Sequence, residues 1–240
     1  MTRRPAAALL AASLPLAGIA VASADKGARP AAKPQRLEAA TMIVEVNATD
    51  GDAGLQVFLD GEPWKSMRIT APNGRRILAI DTRSRLRGYG LTELFSESSE
   101  PPFDRFPLAR FKRLFPAGRY RFAGRDIEGR RVVGSARLSH DIPAGPKITA
   151  PAAGAAVPRD GLVAAWKPVP ETGAIDIKGY RAIVEREQPL RVFNADLPAS
   201  ATSVTVPREY LQPHTDYKLE VQAIEASGNQ TLTEVEFSVR

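Results

Sequence analysis

Alternating apolar and polar residues recur along the chain and predict short antiparallel strands. In residues 41–47, Met42, Val44 and Val46 alternate with Glu45 and Asn47, as expected for a strand with one buried face. The same alternation returns at 55–60, and shorter apolar stretches follow at 67–69 and 77–80. Turn residues separate these stretches, namely Asp50-Gly51, Asp60-Gly61 and Pro72-Asn73-Gly74. This spacing predicts a meander or a β-sandwich rather than a parallel sheet.

One segment has helical rather than strand periodicity. In residues 107–115, Leu108 and Phe111 are three positions apart, and Leu114 or Phe115 continues the same face. Pro107 suits a first helical turn, and proline and glycine residues follow directly after the segment. Residues 91–95 fit either a strand or a helical turn. Strands are predicted again at 119–122 and 132–140.

The C-terminal part of the chain repeats the strand pattern without any helical segment. Residues 147–240 contain seven plausible strands, and Tyr217, Leu219, Val221 and Ala223 alternate with polar residues. The preceding stretch 141–146, DIPAGP, contains two prolines and predicts an extended connection. We therefore predict an all-β protein with two tandem antiparallel β-sandwich domains, at 41–146 and 147–240. The first is expected to contain the one short helix.

The C-terminal half resembles a fibronectin type III domain. The resemblance rests on the run Leu211-x-Pro213-x-Thr215-x-Tyr217, on Gly228-Asn229, on Trp166 in the second strand and on Tyr180 in the third. It implies an immunoglobulin-like sandwich in which the leucine fills the core and the Tyr217 hydroxyl bonds to nearby backbone. Such domains serve mostly as spacers and binding modules. The absence of an Arg-Gly-Asp triplet means that integrin-type adhesion is not implied.

The N-terminal half is similar to a module of unknown activity that precedes fibronectin type III domains in secreted bacterial proteins. The resemblance rests on the stretches EVNATDGDAGLQVFLDGEPW, GLTELFSESSEPPFDRFPL and FPAGRYRFAGRDIEGRRVVGSARLSHDIPAGP. It implies no activity.

The first 24 residues have the order of an export signal. Arg3 and Arg4 precede an apolar run, and Ala22-Ser23-Ala24 supplies small residues for cleavage. Residues 25–40 are polar, contain two prolines and are predicted to be a flexible linker. The expected location is therefore periplasmic or secreted, with no stable membrane span. The chain has no cysteine, which excludes disulfides, thiol nucleophiles and thiolate metal sites.

Positive charge is concentrated in one half of the chain. Residues 25–146 contain 21 basic and 15 acidic residues, whereas residues 147–240 contain 10 and 12. A basic surface favours anionic partners. For an exported protein we expect an envelope protein or an anionic glycan rather than nucleic acid. The predicted ligand-binding residues are the basic residues beside Tyr89 and those on the short helix: Arg83, Arg85, Arg87, Arg110, Lys112 and Arg113. In a strand, the first three would share one face.

No catalytic residue, metal site or cofactor is predicted. Asn47, Asp50, Asp52 and Asp60 offer oxygen ligands but do not match a calcium-binding loop, and they are ordinary turn residues. The pair His140-Asp141 lacks a nucleophile elbow, so His140 is expected to be a hydrogen-bonded residue at the end of a sheet.

The sequence thus predicts a non-catalytic interaction or scaffolding protein of the bacterial envelope. Two alternatives stay open. An accessory carbohydrate-binding protein would need exposed aromatic residues, for which the candidates are Trp64, Tyr89 and Phe103. A hydrolase would need two carboxylates that converge in a cleft, and the candidates lie within residues 93–104: Glu93, Glu97, Glu100 and Asp104.

Overall fold

The computed structural model describes residues 33–240, which form one compact unit. The predicted export signal at 1–24 lies outside the described residues, as does the first half of the predicted linker 25–40, residues 25–32. The end of that linker is already in strands, since Gln35–Arg36 and Ala39 pair with neighbouring strands. Within residues 33–240, no helix is long and apolar enough to cross a membrane.

The N-terminal half consists of short strands around one long strand, with two short helices. The elements are β1 (Gln35–Arg36), β2 (Ala39–Asn47), β3 (Asp52–Thr70), β4 (Arg76–Asp81), α1 (Leu86–Tyr89), β5 (Leu91–Glu97), α2 (Leu108–Leu114), β6 (Gly118–Asp126) and β7 (Arg131–Leu138). The predicted helix at 107–115 is confirmed by α2, and residues 91–95 take the strand alternative. The helix α1 was not predicted.

The predicted turn at Asp60-Gly61 is wrong, because β3 runs through it. The first part of β3, residues 52–60, pairs with β2 and β5, whereas residues 64–70 pair with β4 and β6. The register shifts between Asp60 and Trp64. Gly61 is buried, and a Cβ there would lie 3.2 Å from Cδ2 of Leu37. The small residue thus allows a bend where the sequence resembles a hairpin turn, and the single strand contributes to two layers.

The N-terminal core lies between these layers. The apolar faces of β2, β3, β6 and β7 pack together, with Trp64, Tyr120 and Phe122 among the largest fully buried side chains. The helix α2 adds Phe111, which is 2% exposed. Each such large apolar side chain contributes about 1.5–3 kcal/mol when it is buried. This packing holds α2 in place although a helix of seven residues is too short to be stable alone.

The C-terminal half is an immunoglobulin-like sandwich. Its strands are β8 (Lys147–Ala150), β9 (Ala155–Val157), β10 (Val163–Lys167), β11 (Ile177–Arg186), β12 (Arg191–Pro198), β13 (Ser203–Thr205), β14 (Thr215–Glu225) and β15 (Gln230–Val239). The strand order is β13-β10-β8 in one sheet, and β15-β14-β11-β12 continue in the other. Trp166 and Tyr180 are buried between the sheets with ring centroids 5.5 Å apart. This arrangement confirms the predicted all-β sandwich fold.

One sheet continues through both halves of the protein. Strand β15 pairs in parallel with β2, so that Gln230 lies beside Glu45 and Leu232 lies beside Asn47. The pairs β1–β7 and β9–β15 are also parallel, so the expectation of purely antiparallel pairing needs correction. Sequence alternation identifies a strand and its buried face, but it does not identify the neighbouring strand. The continuous sheet fixes the two cores side by side.

Candidate functional site

Exposed arginines of three neighbouring strands, β3, β6 and β7, lie on one face of the N-terminal sheet. Because alternate residues of a strand point to the same face, Arg119 and Arg121 point away from the core that contains Tyr120 and Phe122. The register of β3, β6 and β7 brings further arginines to the same side. We call this group the arginine face, and its members are Arg68, Arg119, Arg121, Arg125, Arg131 and Arg137.

Like charges oppose each other directly on the arginine face. Arg119 is paired with Arg137, and Arg125 is paired with Arg131, across the β6–β7 ladder. Side chains in such positions have Cβ atoms about 5 Å apart, and like charges there are destabilising. Within residues 33–240, none of the six arginines forms an ion pair. The face therefore has a surplus of positive charge that the described part of the chain does not neutralise.

The first predicted set of basic residues lies in a turn and a helix, not in a strand. Arg83 precedes α1, Arg85 stands at its N-cap position without a side-chain capping hydrogen bond, and Arg87 is in its last turn. All three are exposed, as are Tyr89 at 82% and Leu86 at 51%. The expectation that they share a strand face is therefore wrong. They stay candidate ligand residues at an exposed turn.

The second predicted set lies on α2. Arg110 and Arg113 are exposed and Lys112 is partly buried, and the Arg110 guanidinium lies 4.8 Å from the ring centroid of Phe106. Within residues 33–240, no hydrogen bond or ion pair connects this helix to the basic residues of α1. The two predicted sets are thus not shown to form one site.

Sequence reasoning missed the arginine face, although part of the signal was visible. The alternation of Arg119 and Arg121 with buried aromatic residues indicates an outward basic face on β6. The positions of Arg131, Arg137 and Arg68 relative to that strand depend on cross-strand register. Register is set by long-range packing, and a single sequence does not reveal it.

Three carboxylates converge where β2, β3 and β5 meet. Glu45, Glu97 and Glu100 have carboxylate oxygens within 4.8 Å of one another. The Glu100 carboxylate lies over Gly54, where a Cβ would be 2.5 Å from Oε1. The amide of Gln230 donates a hydrogen bond to Glu45 from the C-terminal half. These residues form the carboxylate cluster.

Crowding and burial change the acidity of this cluster. Burial, followed by the negative charges of Glu97, Asp52 and Glu45, raises the pKa of Glu100 to about 7. Burial also raises the pKa of Glu45, although its hydrogen bond with Gln230 opposes the rise. Glu100 therefore keeps its proton to a higher pH than an isolated carboxyl group does.

The other candidate metal ligands do not converge. Asn47 Oδ1 accepts hydrogen bonds from the backbone N–H groups of Thr49 and Asp50 at 2.9 and 3.1 Å. Asn47 Nδ2 donates to Asp50 Oδ2 at 3.1 Å. Asp60 pairs with Ala39, at the opposite end of the β2–β3 ladder from the Asn47–Asp52 pair. The first residues therefore stabilise a turn, and Asp60 is remote from it.

His140 has a structural partner. Its Nε2–H donates to the carbonyl of Phe115 at 2.9 Å. Within residues 33–240, no hydrogen bond links the His140 ring to Asp141. This geometry fits a residue that ties the end of β7 to the end of α2.

Two of the three candidate aromatic residues for carbohydrate stacking are in the N-terminal core region. Trp64 is 0% exposed and Phe103 packs against the core, so only Tyr89 presents its ring to solvent. The expectation that Trp64 is available for binding is wrong, because its side chain is packed in the N-terminal core. An aromatic platform is therefore not formed by these three residues.

The C-terminal half has the internal contacts implied by its sequence resemblance. Leu211 is completely buried. The Tyr217 hydroxyl accepts a hydrogen bond from the backbone N–H of Gln212 at 2.8 Å, and the Tyr180 hydroxyl accepts one from Val169 N–H at 2.8 Å. These bonds anchor two tyrosines of one core, which lie on the neighbouring strands β11 and β14.

Comparison with known families identifies the C-terminal region. Residues 151–238 match the sequence model of the fibronectin type III domain. No curated protein sequence matches the chain.

Solved structures show weak likeness to the chain. A two-domain fibronectin type III segment of chicken tenascin is 11% identical, with 85% of this chain and 97% of that chain covered and a TM-score of 0.31. The spore cortex lytic enzyme SleM of Clostridium perfringens is 19% identical, with 40% and 28% covered and a TM-score of 0.30. A tetra-tandem repeat from the extending region of a large adhesion protein is 13% identical, with 82% and 48% covered and a TM-score of 0.27. The chain thus spans less than a third of the length of the lytic enzyme.

Proposed function

Residues 151–238 are a fibronectin type III domain, and from this premise we propose that the protein is a non-catalytic interaction protein of the bacterial envelope. In this proposal, residues 1–24 direct export and are removed, which places the protein in the periplasm or outside the cell. Residues 41–146 form the domain that binds the partner. Residues 147–240 form a second domain, which serves as a spacer or a docking module for the N-terminal domain.

The arginine face is the observation that carries this proposal. Six exposed arginines without ion pairs in the described part of the chain create a positive potential that attracts anions. Two pairs of them oppose each other directly, which costs stability in the absence of a partner. A bound anionic partner would remove that cost. The net charge of residues 25–146 is also positive, because basic residues outnumber acidic ones there.

The partner we propose is an anionic component of the envelope, either a protein or a glycan. The basic residues of α1 and α2 are proposed as additional contacts. Their exposed apolar neighbours Leu86, Tyr89 and Leu114 could extend the contact area. Because exposed charges interact over about 8–10 Å at physiological ionic strength, binding is expected to weaken as salt is raised.

Binding to isolated envelopes tests the proposal. We expect charge reversal at three positions of the arginine face, Arg119→Glu, Arg121→Glu and Arg125→Glu, to abolish the binding of residues 25–240. A matched control reverses three exposed basic residues of the C-terminal half, Lys167, Arg191 and Arg240. Equal loss with both triple variants would indicate non-specific attraction and would contradict the proposal.

The basic residues of α1 need their own variant. Charge reversal at Arg83, Arg85 and Arg87 leaves the arginine face intact, so partial loss of binding would assign them as additional contacts. Unchanged binding would remove them from the site.

A carboxylate-based hydrolase is a second candidate function, favoured by the convergence of Glu97 and Glu100 with Glu45. A pair of carboxylates with one raised pKa is the arrangement that glycoside cleavage uses. An assay of purified protein on envelope polysaccharides tests it, with Glu97→Gln and Glu100→Gln as variants. Release of reducing ends that both variants abolish would establish hydrolysis and overturn the non-catalytic assignment.

A further inference from the structure

We propose that the arginine face binds a linear anionic polysaccharide that lies along β6. The inference rests on the proposed function and narrows its partner from any anionic envelope component to a polymer with charged groups at repeated intervals.

The arginines of β6 form a row. Alternate residues of a strand are about 6.7 Å apart and neighbouring strands about 4.8 Å apart. Arg119, Arg121 and Arg125 therefore extend over about 20 Å along one strand. A single small anion can contact only one end of such a row. A polymer of that length can contact all of it.

Each end of the row is a pair of guanidinium groups. Arg119 faces Arg137 at one end, and Arg125 faces Arg131 at the other. The Arg125 guanidinium also donates from Nη1 to the Gly129 carbonyl at 2.9 Å, so its remaining N–H groups are the ones open to an anion. A guanidinium binds a carboxylate, sulfate or phosphate through two parallel hydrogen bonds. One anionic group between the two members of a pair would accept bonds from both and remove their repulsion. The two ends thus define two strong anion positions about 20 Å apart.

Few apolar side chains accompany the arginines. The residues between them at outward positions of β6 and β7 are Ala123, Val133 and Ser135. The large exposed apolar residues of the described chain lie elsewhere: Leu86, Tyr89, Phe95, Leu114, Val163, Leu190 and Val192. Stable association with a bilayer needs apolar insertion in addition to charge, single-stranded nucleic acid needs stacking on aromatic rings, and protein interfaces depend on buried aromatic anchors. A neutral sugar would need exposed aromatic rings to stack on, but a polyanion that is held through its charged groups by guanidinium hydrogen bonds needs none of these.

Calorimetric titration with polygalacturonate fractions of increasing length tests the inference on residues 25–240. We expect affinity to rise with chain length and to level off once the oligomer spans about 20 Å. Galacturonic acid monomer should bind at least a hundredfold more weakly. Equal affinity for monomer and polymer would overturn the proposal, because it would show that the row is not used.

Variants of the two arginine pairs test the position of the polymer. We expect Arg119→Gln with Arg137→Gln, and separately Arg125→Gln with Arg131→Gln, each to lower affinity at least tenfold. The control Lys167→Gln with Arg191→Gln should leave affinity unchanged. Conservative Arg→Lys replacements at the same pairs keep the charge but lose the paired hydrogen bonds, so they should lie between the wild type and the glutamine variants. Equal affinity of all variants would overturn the inference.

Competing occupants are tested with the same protein. Tighter binding to phosphatidylglycerol vesicles or to duplex DNA than to polygalacturonate would overturn the polysaccharide assignment. So would salt-sensitive self-association that the arginine variants abolish, since a second copy of the chain would then occupy the face. If envelopes are bound but polygalacturonate is not, the inference fails while the proposed function stands. If the arginine variants bind envelopes as well as the wild type does, the proposed function fails.

Discussion

Asn229 holds the two halves of the protein together through the backbone of Val44. Its Oδ1 accepts a hydrogen bond from Val44 N–H at 2.8 Å, across 185 positions in the chain. Its Nδ2 donates to Ser139 Oγ at 2.9 Å and to the carbonyl of Asp141 at 3.0 Å. Asn229 is completely buried. One side chain thus links β2, the connection after β7 and the turn before β15.

Replacing Asn229 with alanine is expected to destabilise the whole unit. The change leaves Val44 N–H and the Asp141 carbonyl without their partner in a buried place. Each unsatisfied group costs about 1–3 kcal/mol, so we expect the free energy of unfolding to fall by about 2–4 kcal/mol. Urea denaturation measures it, with the exposed Asn194→Ala as the control. A loss no larger than that of the control would contradict the role of Asn229.

The same junction predicts cooperative unfolding of the two halves. The β2–β15 ladder and the hydrogen bond of 2.6 Å from Thr231 Oγ1 to the carbonyl of Pro143 join the two cores. We expect a single thermal transition for the wild type. Tryptophan fluorescence monitors it, because Trp64 lies in one core and Trp166 in the other. In Asn229→Ala with Thr231→Val, the two signals should separate. Two transitions in the wild type would show that the junction does not couple the cores.

Glu100 is expected to make stability depend on pH. Its folded-state pKa is about 7, against an ordinary value of 4.5. Between these values the folded protein binds more protons at this site than the unfolded chain does. The free energy of unfolding therefore falls as pH rises from about 4.5 to about 7. Solvent screens this partly exposed group, so the expected loss in the free energy of unfolding is about 1 kcal/mol. This is well below the value that the full shift of the Glu100 pKa would give.

Glu100→Gln tests this dependence. The amide keeps the shape but carries no charge beside Glu45, Glu97 and Asp52, so stability should become flatter over that pH interval and higher at pH 8. Equilibrium unfolding at several pH values measures it. The exposed Glu93→Gln on the same strand region is the control. A variant with the same pH slope as the wild type would exclude Glu100 as the titrating group.

The hydroxyl of Tyr217 gives a test of the C-terminal domain by itself. The backbone N–H of Gln212 donates to it at 2.8 Å. Tyr217→Phe keeps the ring packed against Phe237, with centroids 5.6 Å apart, but removes the acceptor. We expect a loss of about 1–2 kcal/mol in the free energy of unfolding, measured by urea denaturation. Tyr89→Phe, at an exposed ring, should have no effect.

Structural features that depend only on residues close together in the chain could be predicted from the sequence. The alternation of Tyr217 to Ala223 and the helical spacing of Leu108 and Phe111 are local, and both elements were predicted. The bend of β3 at Gly61 was missed because Asp-Gly favours a turn, whereas packing against Leu37 favours a continuous strand.

The candidate site was only half visible for a related reason. The outward direction of Arg119 and Arg121 follows from their own strand. Their neighbours Arg137 and Arg131 are brought in by the β6–β7 register. The carboxylate cluster likewise combines Glu45 with residues more than 50 positions away. Such proximity comes from tertiary pairing, which local sequence patterns do not contain.

The arginine pairs predict that the protein can be stabilised at the cost of binding. Arg137→Glu places a carboxylate opposite Arg119 and replaces repulsion by attraction. We expect the free energy of unfolding to rise by about 0.5–1 kcal/mol at low salt, and the gain to shrink as salt is added because the pair is exposed. Urea denaturation at two salt concentrations measures both effects.

Arg83→Glu, in the exposed turn before α1, is the control. It changes the net charge equally without a directly opposed arginine and should give a smaller gain in the free energy of unfolding. An equal gain in both variants would mean that net charge alone, rather than the opposed pair, limits stability. A larger gain for Arg137→Glu together with lost envelope binding would show that the repulsion is retained for ligand binding.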